Sequence, residues 1–255
     1  MLNESQLNQY YDEGYVILEN LFAPAEMDAL AARIDRFDLA HNEHLKKHRL
    51  ENSNQIAEEI VFSYYLNFKD EAIQSFIADD RFVALSTQIL GPDVRLYWDQ
   101  SVYKRPEAKR DFPWHQDNGY VAIEPEHYLT CWLALNDATI ENGCIWVLPR
   151  SHQGGVVEHR RTPIGLQCYF GPDPGTPAPV RKGSMIAFQS RLMHRSGPNQ
   201  SAGMRKGYVI QYSVDGAYRP DTGVVFNNGP LIAKGGVRAY TGFVSHPEHS
   251  ATMIG

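Results

Sequence analysis

Three short pieces of the chain place a histidine two residues before a carboxylate: His41/Glu43, His115/Asp117 and His246/Glu248. Such a pair offers an imidazole nitrogen and a carboxylate oxygen, donors that suit a divalent transition metal. Spacing by itself decides nothing. With 10 histidines and 30 acidic residues in 255 positions, roughly one such pair arises by chance. The three differ in the element beneath them, because side chains at i and i+2 share a face on a strand but diverge on a helix. His115 and Asp117 lie in "FPWHQDNGY" (112–120), among strand-like segments. His41/Glu43 belongs to the polar helical or loop stretch "LAHNEHLKKHRLE", where His41, His44 and His48 could line one helix face. A solvated face is the preferred reading there. His246/Glu248 encloses Pro247, sits near the C-terminus and has no strand context.

A third ligand is available to His115/Asp117 alone. "MIAFQSRLMHRSGPNQS" carries His194 just after a short apolar strand, 79 residues beyond His115. Taken singly, His194 reads as a core or turn histidine. Two histidines and one carboxylate on a β scaffold make the facial triad of non-haem Fe(II) oxygenases, with positions left open for a chelating cosubstrate and O2. Arg205 follows His194 by 11 residues, at the entry to "KGYVIQY". A turn through "SGPNQSAG" would return the chain antiparallel and set Arg205 beside the strand that ends at His194. A guanidinium there can grip the distal carboxylate of a dicarboxylate in bidentate fashion, which lysine cannot. A plain surface arginine is the alternative.

The elements that must position these residues change character near residue 93. Before it, helices are expected over Glu4–Tyr11, stopped by Gly14, and over 23–40, with Met27, Leu30, Ile34 and Phe37 at helical spacing. A strand over 15–20 separates them, and two short helices over 70–78 and 80–90 end at Gly91-Pro92. After it come short aromatic and β-branched runs, "VRLYWDQSVYK", "YLTCWLALND", "CIWVLP", "GSMIAFQ" and "KGYVIQYSV", divided by Gly, Pro and Asn turns. Helices first and strands after, without βα alternation, predict an antiparallel β sandwich with helices packed outside. In the second run Thr130, Trp132, Ala134 and Asn136 share one face, and Cys131, Leu133 and Leu135 share the face that packs on the helices. The Pro/Gly-rich segment 171–182 reads as an exposed loop and the tail from Gly216 as irregular. One domain is expected over 1–255: a helical part to about 92, a β core over about 93–215, then the tail.

Composition narrows the function classes. A net charge of −6 without a basic cluster argues against nucleic acid as a partner. No apolar stretch is long enough to span a bilayer, and the first residues lack the basic and apolar regions of a secretory signal. The final "TMIG" carries no peroxisomal or retention address. Cys131, Cys144 and Cys168 are odd in number and lack metal-type spacing, which fits reduced thiols in a cytoplasmic protein. Nothing in the sequence speaks to oligomeric state.

With these residues in place, the chain resembles the phytanoyl-CoA dioxygenase family of Fe(II)/2-oxoglutarate oxygenases, from about Gly14 to Val214. "HQDNGY" (115–120), "CWLALNDATIENGCIWVLPRSH" (131–152) and "HRSGPNQSAGMR" (194–205) carry the resemblance. It implies a double-stranded β-helix, the cupin-like jelly roll, with Fe(II) held by His115, Asp117 and His194, and with 2-oxoglutarate and O2 as cosubstrates. It also implies Arg205 as the 2-oxoglutarate clamp, assisted by Ser196, with Trp132 lining the pocket. Gln100 and Lys104 match positions that often contact 2-oxoglutarate; an ordinary polar role on a strand is the alternative for both. The implied reaction is oxidation, commonly hydroxylation, of a C–H bond in a small-molecule metabolite or natural-product intermediate, with succinate and CO2 as co-products. An acyl-CoA hydroxylase and a non-catalytic metal-binding β sandwich are the rivals. Asn118, Gly119, Tyr120, Tyr64 and Tyr65 are candidates for the substrate wall by position or aromatic character. His152 reads as a hydrogen-bonded structural residue. Two departures stand out: Asn136 where Asp is common, and Arg150 where the family has glycine. Arg150 would face the substrate mouth, marking an anionic substrate, or form a surface salt bridge.

Overall fold

The computed structural model describes residues 1–47, 59–106 and 108–245. The His246/Glu248 pair and His48 lie outside the described residues. Helix α1 (Glu4–Glu13) opens on a capping box between Asn3 and Gln6 and closes at Gly14, whose φ of 89° suits glycine. It is followed by strand β1 (Tyr15–Leu18) and helix α2 (Pro24–Lys47), which starts with proline in the first turn. Positions 41 and 43 fall inside α2, which runs seven residues past the expected end at 40. Strand β2 (Ile60–Tyr64) precedes two short helices, α3 (Glu71–Ile77) and α4 (Asp80–Leu90). Asp70 caps the first by accepting from the Ala72 and Ile73 N–H groups, and Asp79 caps the second by accepting from Arg81.

Two antiparallel sheets follow. The larger contains β3 (Val94–Lys104), β5 (Leu129–Ala134), β10 (Met185–Gln189), β12 (Arg205–Val214), β13 (Leu231–Lys234) and β14 (Val237–Arg238). Its order is β1-β10-β5-β12-β3-β13-β14, with β2 also paired to β3. The smaller contains β4 (Phe112–His115), β6 (Ile145–Val147), β9 (Thr176–Ala178) and β11 (His194–Ser196), in the order β4-β11-β6-β9. A separate hairpin joins β7 (Arg160–Thr162) and β8 (Gly165–Gln167). Two curled sheets facing one another with helices on the outer side form the expected jelly roll.

The alternation of β5 divides the interior as expected. Cys131, Leu133 and Leu135 pack with Met27, Leu30, Ile34 and Phe82 of the helices. Trp132 and Ala134 face Ile145 and Val147 of the smaller sheet. Burying a side chain such as Leu133 contributes about 1.5–3 kcal/mol, and a charged replacement there would separate the helices from the sheet.

Two expectations need correction. The segment 171–182 is not wholly loop: Thr176–Ala178 pairs with β6 at the sheet's edge, where Pro177 needs no ladder partner on its outer side. The tail is not wholly irregular either. Β-strands 13 and 14 continue the larger sheet through a two-residue turn, Gly235-Gly236, with φ of 60° and 80°. Positive φ at both positions is the hairpin pattern that glycine permits.

Candidate active site

Strands β4 and β11 pair so that His115 and His194 stand directly opposite one another, ring centroids 4.2 Å apart. Each ring is fixed by the chain two residues before it: Nδ1 of His115 lies 2.8 Å from the Pro113 carbonyl and Nδ1 of His194 lies 3.0 Å from the Leu192 carbonyl. A carbonyl only accepts, so both Nδ1 atoms carry the proton and both Nε2 lone pairs are free. Asp117 begins the short 3-10 turn Asp117–Gly119, and its Oδ1 sits 3.8 Å from His115 Nε2 and 3.6 Å from His194 Nε2. Burial, reinforced by the neighbouring His194, holds His115 well below the ordinary histidine range. A neutral His115 makes that contact one of converging donors and not an ion pair. The three ligand atoms lie within 4.8 Å of one another, a set that could hold a metal ion.

The other Asp117 oxygen is already engaged. Oδ2 accepts from Thr130 Oγ1 at 2.7 Å and from Gln211 Nε2 at 2.9 Å, and Gln211 also reaches Thr130 Oγ1 at 3.2 Å. Oδ1 alone is left to face the histidines. Neither Thr130 nor Gln211 was expected as part of the site, although both carried a signal. Thr130 shares the inward face of Trp132, and Gln211 stands an even number of residues after Arg205 on one strand. Gln116 and His159 had no such signal. The buried Gln116 side chain donates to the Gly155 and Arg191 carbonyls and accepts from the Val157 N–H, while its own N–H donates to His159 Nε2. These bonds fasten the 155–159 loop to the ligand-bearing segment.

The three residues line a cavity of about 70 Å³ that continues past Trp132, Ser196 and Arg205. Arg205 is 1% exposed. Its Nη1 donates to the Val102 carbonyl at 3.0 Å, its Nε has no partner, and its guanidinium lies 5.3 Å from the Trp132 ring centre. No carboxylate pairs with it among the described residues. Burial pushes its pKa down to about 10, so it stays cationic at neutral pH. An unmatched buried charge costs several kcal/mol, and the carboxylate of a small dicarboxylate would offset that cost. Lys104 lies beside it, fully buried, and is pushed down to about 7 by burial and then by Arg205. Its ammonium donates to Ser196 O at 3.3 Å, to Ser196 Oγ at 3.2 Å and to the Gly197 carbonyl. All three Lys104 donors are thereby used, and the Ser196 hydroxyl, accepting from Lys104, keeps its own proton to donate. Lys104 therefore orients Ser196 and is not among the residues lining the cavity. Gln100 does line it, and accepts from Trp98 Nε1 at 3.1 Å.

The candidate substrate residues divide. Arg150 does not reach the cavity: it is paired with Glu13 at 2.9 Å on the surface, the salt-bridge alternative. Asn118 is tied down as well, its Nδ2 donating to the Glu126 carbonyl at 2.6 Å, and it steadies the turn after Asp117. Tyr120 is outside the immediate lining, with its ring centroid 5.7 Å from that of His115. Tyr65 packs on Trp98 at 4.6 Å, outside the immediate lining. His152 donates from Nε2 to the Tyr11 carbonyl, 2.9 Å away, and takes no place among the ligands. Asn136 bonds the Met204 carbonyl and the Lys206 N–H, holding the β5 end to β12.

A jelly roll with a His–Asp–His cluster and an unmatched buried arginine in one cavity defines a non-haem Fe(II)/2-oxoglutarate-dependent dioxygenase. The chain belongs to the phytanoyl-CoA dioxygenase (PhyH) family, whose model matches residues 10–207. It is 26% identical to phytanoyl-CoA dioxygenase domain-containing protein 1 of Danio rerio over 262 aligned positions, covering 82% of this chain and 89% of that one. A probable alpha-ketoglutarate-dependent hypophosphite dioxygenase of Stutzerimonas stutzeri is 25% identical, with 84% and 79% covered. The fold is shared with the epimerase SnoN, solved with Fe3+, alpha ketoglutarate and nogalamycin RO. That chain is 20% identical with a TM-score of 0.68, and the match covers 90% of this chain and 98% of that one.

Proposed function

We propose that His115, Asp117 and His194 hold Fe(II), that Arg205 and Ser196 bind the distal carboxylate of 2-oxoglutarate, and that the chain oxidises a C–H bond of a small molecule, commonly by hydroxylation. One domain over 1–255 would suffice for this, working in the cytoplasm without a nucleic-acid or membrane partner. The net charge of −6 and three free cysteines support that setting, and no described helix is long and apolar enough to cross a membrane. The observation that carries the reading is the pairing, in one cavity, of three converging ligand atoms with a buried guanidinium that lacks an anion.

Iron and 2-oxoglutarate bound there would supply O2-dependent oxidation of the substrate, with succinate and CO2 as co-products. The protein's own residues bind and orient. Thr130 and Gln211 hold Asp117 by one oxygen, keeping coordination positions open. Trp132 lies beneath Arg205 and excludes water from its contact with the carboxylate. The Pro113 and Leu192 carbonyls keep both imidazoles in the ligand tautomer.

Incubating anaerobically purified protein with Fe(II) and 2-oxoglutarate, then admitting O2, should release succinate. Arg205→Ala should cost about 2–5 kcal/mol of 2-oxoglutarate binding, thirtyfold or more in affinity. Absence of succinate under all conditions, with 2-oxoglutarate binding unchanged in Arg205→Ala, would favour a non-catalytic metal-binding protein. Turnover that needs no oxygen would favour a hydrolase.

A further inference from the structure

Outward from the ligands runs a wall of rings that begins with two residues lining the cavity, Phe112 and Phe62. His115 lies 5.0 Å from Phe112 and 5.7 Å from Tyr120, centroid to centroid. From Phe112 the rings continue to Phe62 at 6.1 Å, on to Tyr64 at 6.0 Å, then to Trp98 at 5.7 Å, where Tyr65 packs at 4.6 Å. Tyr64 is 38% exposed and Tyr120 48%, so the series reaches solvent at both ends. Phe62 and Tyr64, two residues apart on β2, are parallel to within 1° and stack offset on one another.

This wall has little polar capacity. Trp98 donates its N–H to Gln100, and the Tyr120 hydroxyl accepts from the Leu166 N–H at 3.2 Å. Burial raises the pKa of Tyr64, and pushes Tyr65 and Tyr120 up to about 12, so all three phenols are neutral at physiological pH. Of the arginines lining the cavity, Arg205 lies by Trp132, and Arg195 is matched by Asp111 at 3.4 Å and Asp173 at 2.5 Å. The Lys69 ammonium is engaged at the Tyr64 carbonyl, 2.8 Å away.

The wall is also braced from behind. Tyr65 has a left-handed backbone, φ 56°, a conformation that costs a bulky residue about 1–3 kcal/mol. The fully buried Asp99 holds it there: its carbonyl accepts from the Tyr65 N–H at 3.0 Å. Its carboxylate accepts from the Asn67 N–H at 3.1 Å and from Tyr208 Oη at 2.9 Å. Together these bonds set the turn that lays Tyr65 on Trp98.

We propose that the substrate is an uncharged small molecule bearing a flat or alicyclic ring system. It enters over Tyr64 and Trp98 and packs against Phe62 and Phe112, with the carbon to be oxidised directed toward His115 and Asp117. This rests on the oxygenase reading and narrows it. Ring faces carry negative potential and ring edges positive, so a ring meeting them offset or edge-on gains beyond its buried area. A phosphonate or a coenzyme A diphosphate would lose hydration against these ring faces.

Calorimetry on the full chain tests this, first metal-free and then anaerobically with Fe(II) and 2-oxoglutarate. The neutral probes are 2-naphthol and 1-hydroxyanthraquinone; palmitoyl-coenzyme A, methylphosphonate and choline are the charged ones. The ring probes should bind saturably, and Tyr64→Leu and Trp98→Leu should each weaken them about tenfold. Circular dichroism verifies the fold of both variants, and the exposure of Tyr64 makes leucine benign there. A charged probe binding more tightly than both ring probes, or ring probes indifferent to both substitutions, overturns the proposal. Binding is read without O2, so its failure is distinct from failure to form succinate.

Discussion

Valine at position 130 isolates one hydrogen bond to the proposed iron-binding carboxylate. Thr130 is 1% exposed, with Oγ1 2.7 Å from Asp117 Oδ2, and valine keeps its shape while deleting the hydroxyl. A hydrogen bond to a charged acceptor contributes about 1.5–3 kcal/mol. Gln211 keeps its own 2.9 Å bond to the same oxygen, so the lower part of that range applies. Metal affinity should fall about ten- to thirtyfold in Thr130→Val. The same loss is expected in Gln211→Leu. Because both bonds end on one oxygen, the double variant should depart from the sum by about 0.5 kcal/mol or more. Anaerobic calorimetric titration with Co(II) measures all three, and Thr130→Ser, which retains the hydroxyl, should stay within about threefold of wild type. Wild-type affinity in Thr130→Val would refute the reasoning, since Asp117 would then need no such anchor.

Three other outcomes follow from the same geometry. His127 bonds Tyr10 Oη at 3.0 Å and burial pushes it down to about 4. Its folded value lies below its unfolded one near 6.5, so the unfolded chain protonates first. The stabilisation is therefore complete above pH 6.5 and is lost as pH falls toward 4. Urea unfolding should show about 1.5 kcal/mol of loss from this group between pH 6.5 and 5, absent in His127→Gln. In Gly207→Ala the new Cβ would fall 2.6 Å from Trp132 Cζ2, displacing the ring beneath Arg205; 2-oxoglutarate affinity should drop about tenfold while Co(II) affinity holds. Arg150→Ala should change stability by under about 1 kcal/mol and leave 2-oxoglutarate binding intact, as a surface pair with Glu13 predicts.

The two faces of β5 were plain from its pattern because strand alternation there is strict. The geometry that selected the other site residues needs correction: β4 ends at His115 and Asp117 opens a 3-10 turn. Arg205 does not lie on a strand paired with the one at His194 either, since β12 pairs with β3 and β5 while β11 belongs to the smaller sheet. The roles of Asn118 and Arg150 were not readable, since Asn118 was chosen by nearness in sequence and Arg150 because it stands where the family has glycine. Their partners, Glu126 and Glu13, are set by tertiary packing. β9 was hidden by the proline and glycine around it. The β13–β14 hairpin, by contrast, had a usable signal in Gly235-Gly236, outweighed by the polar texture of the tail. The Asp99–Asn67–Tyr208 support behind Tyr65 joins three distant segments, and no local pattern announces it.

The central claim is that iron and 2-oxoglutarate share one site built on His115, Asp117, His194 and Arg205. Anaerobic titration with Fe(II) and then 2-oxoglutarate, followed by visible charge-transfer absorption, tests it most directly. The account predicts a band that needs both components, saturates at one of each per chain, disappears in His194→Ala and requires far more 2-oxoglutarate in Arg205→Ala. No band at saturating concentrations of both, or an undiminished band in His194→Ala, would contradict it.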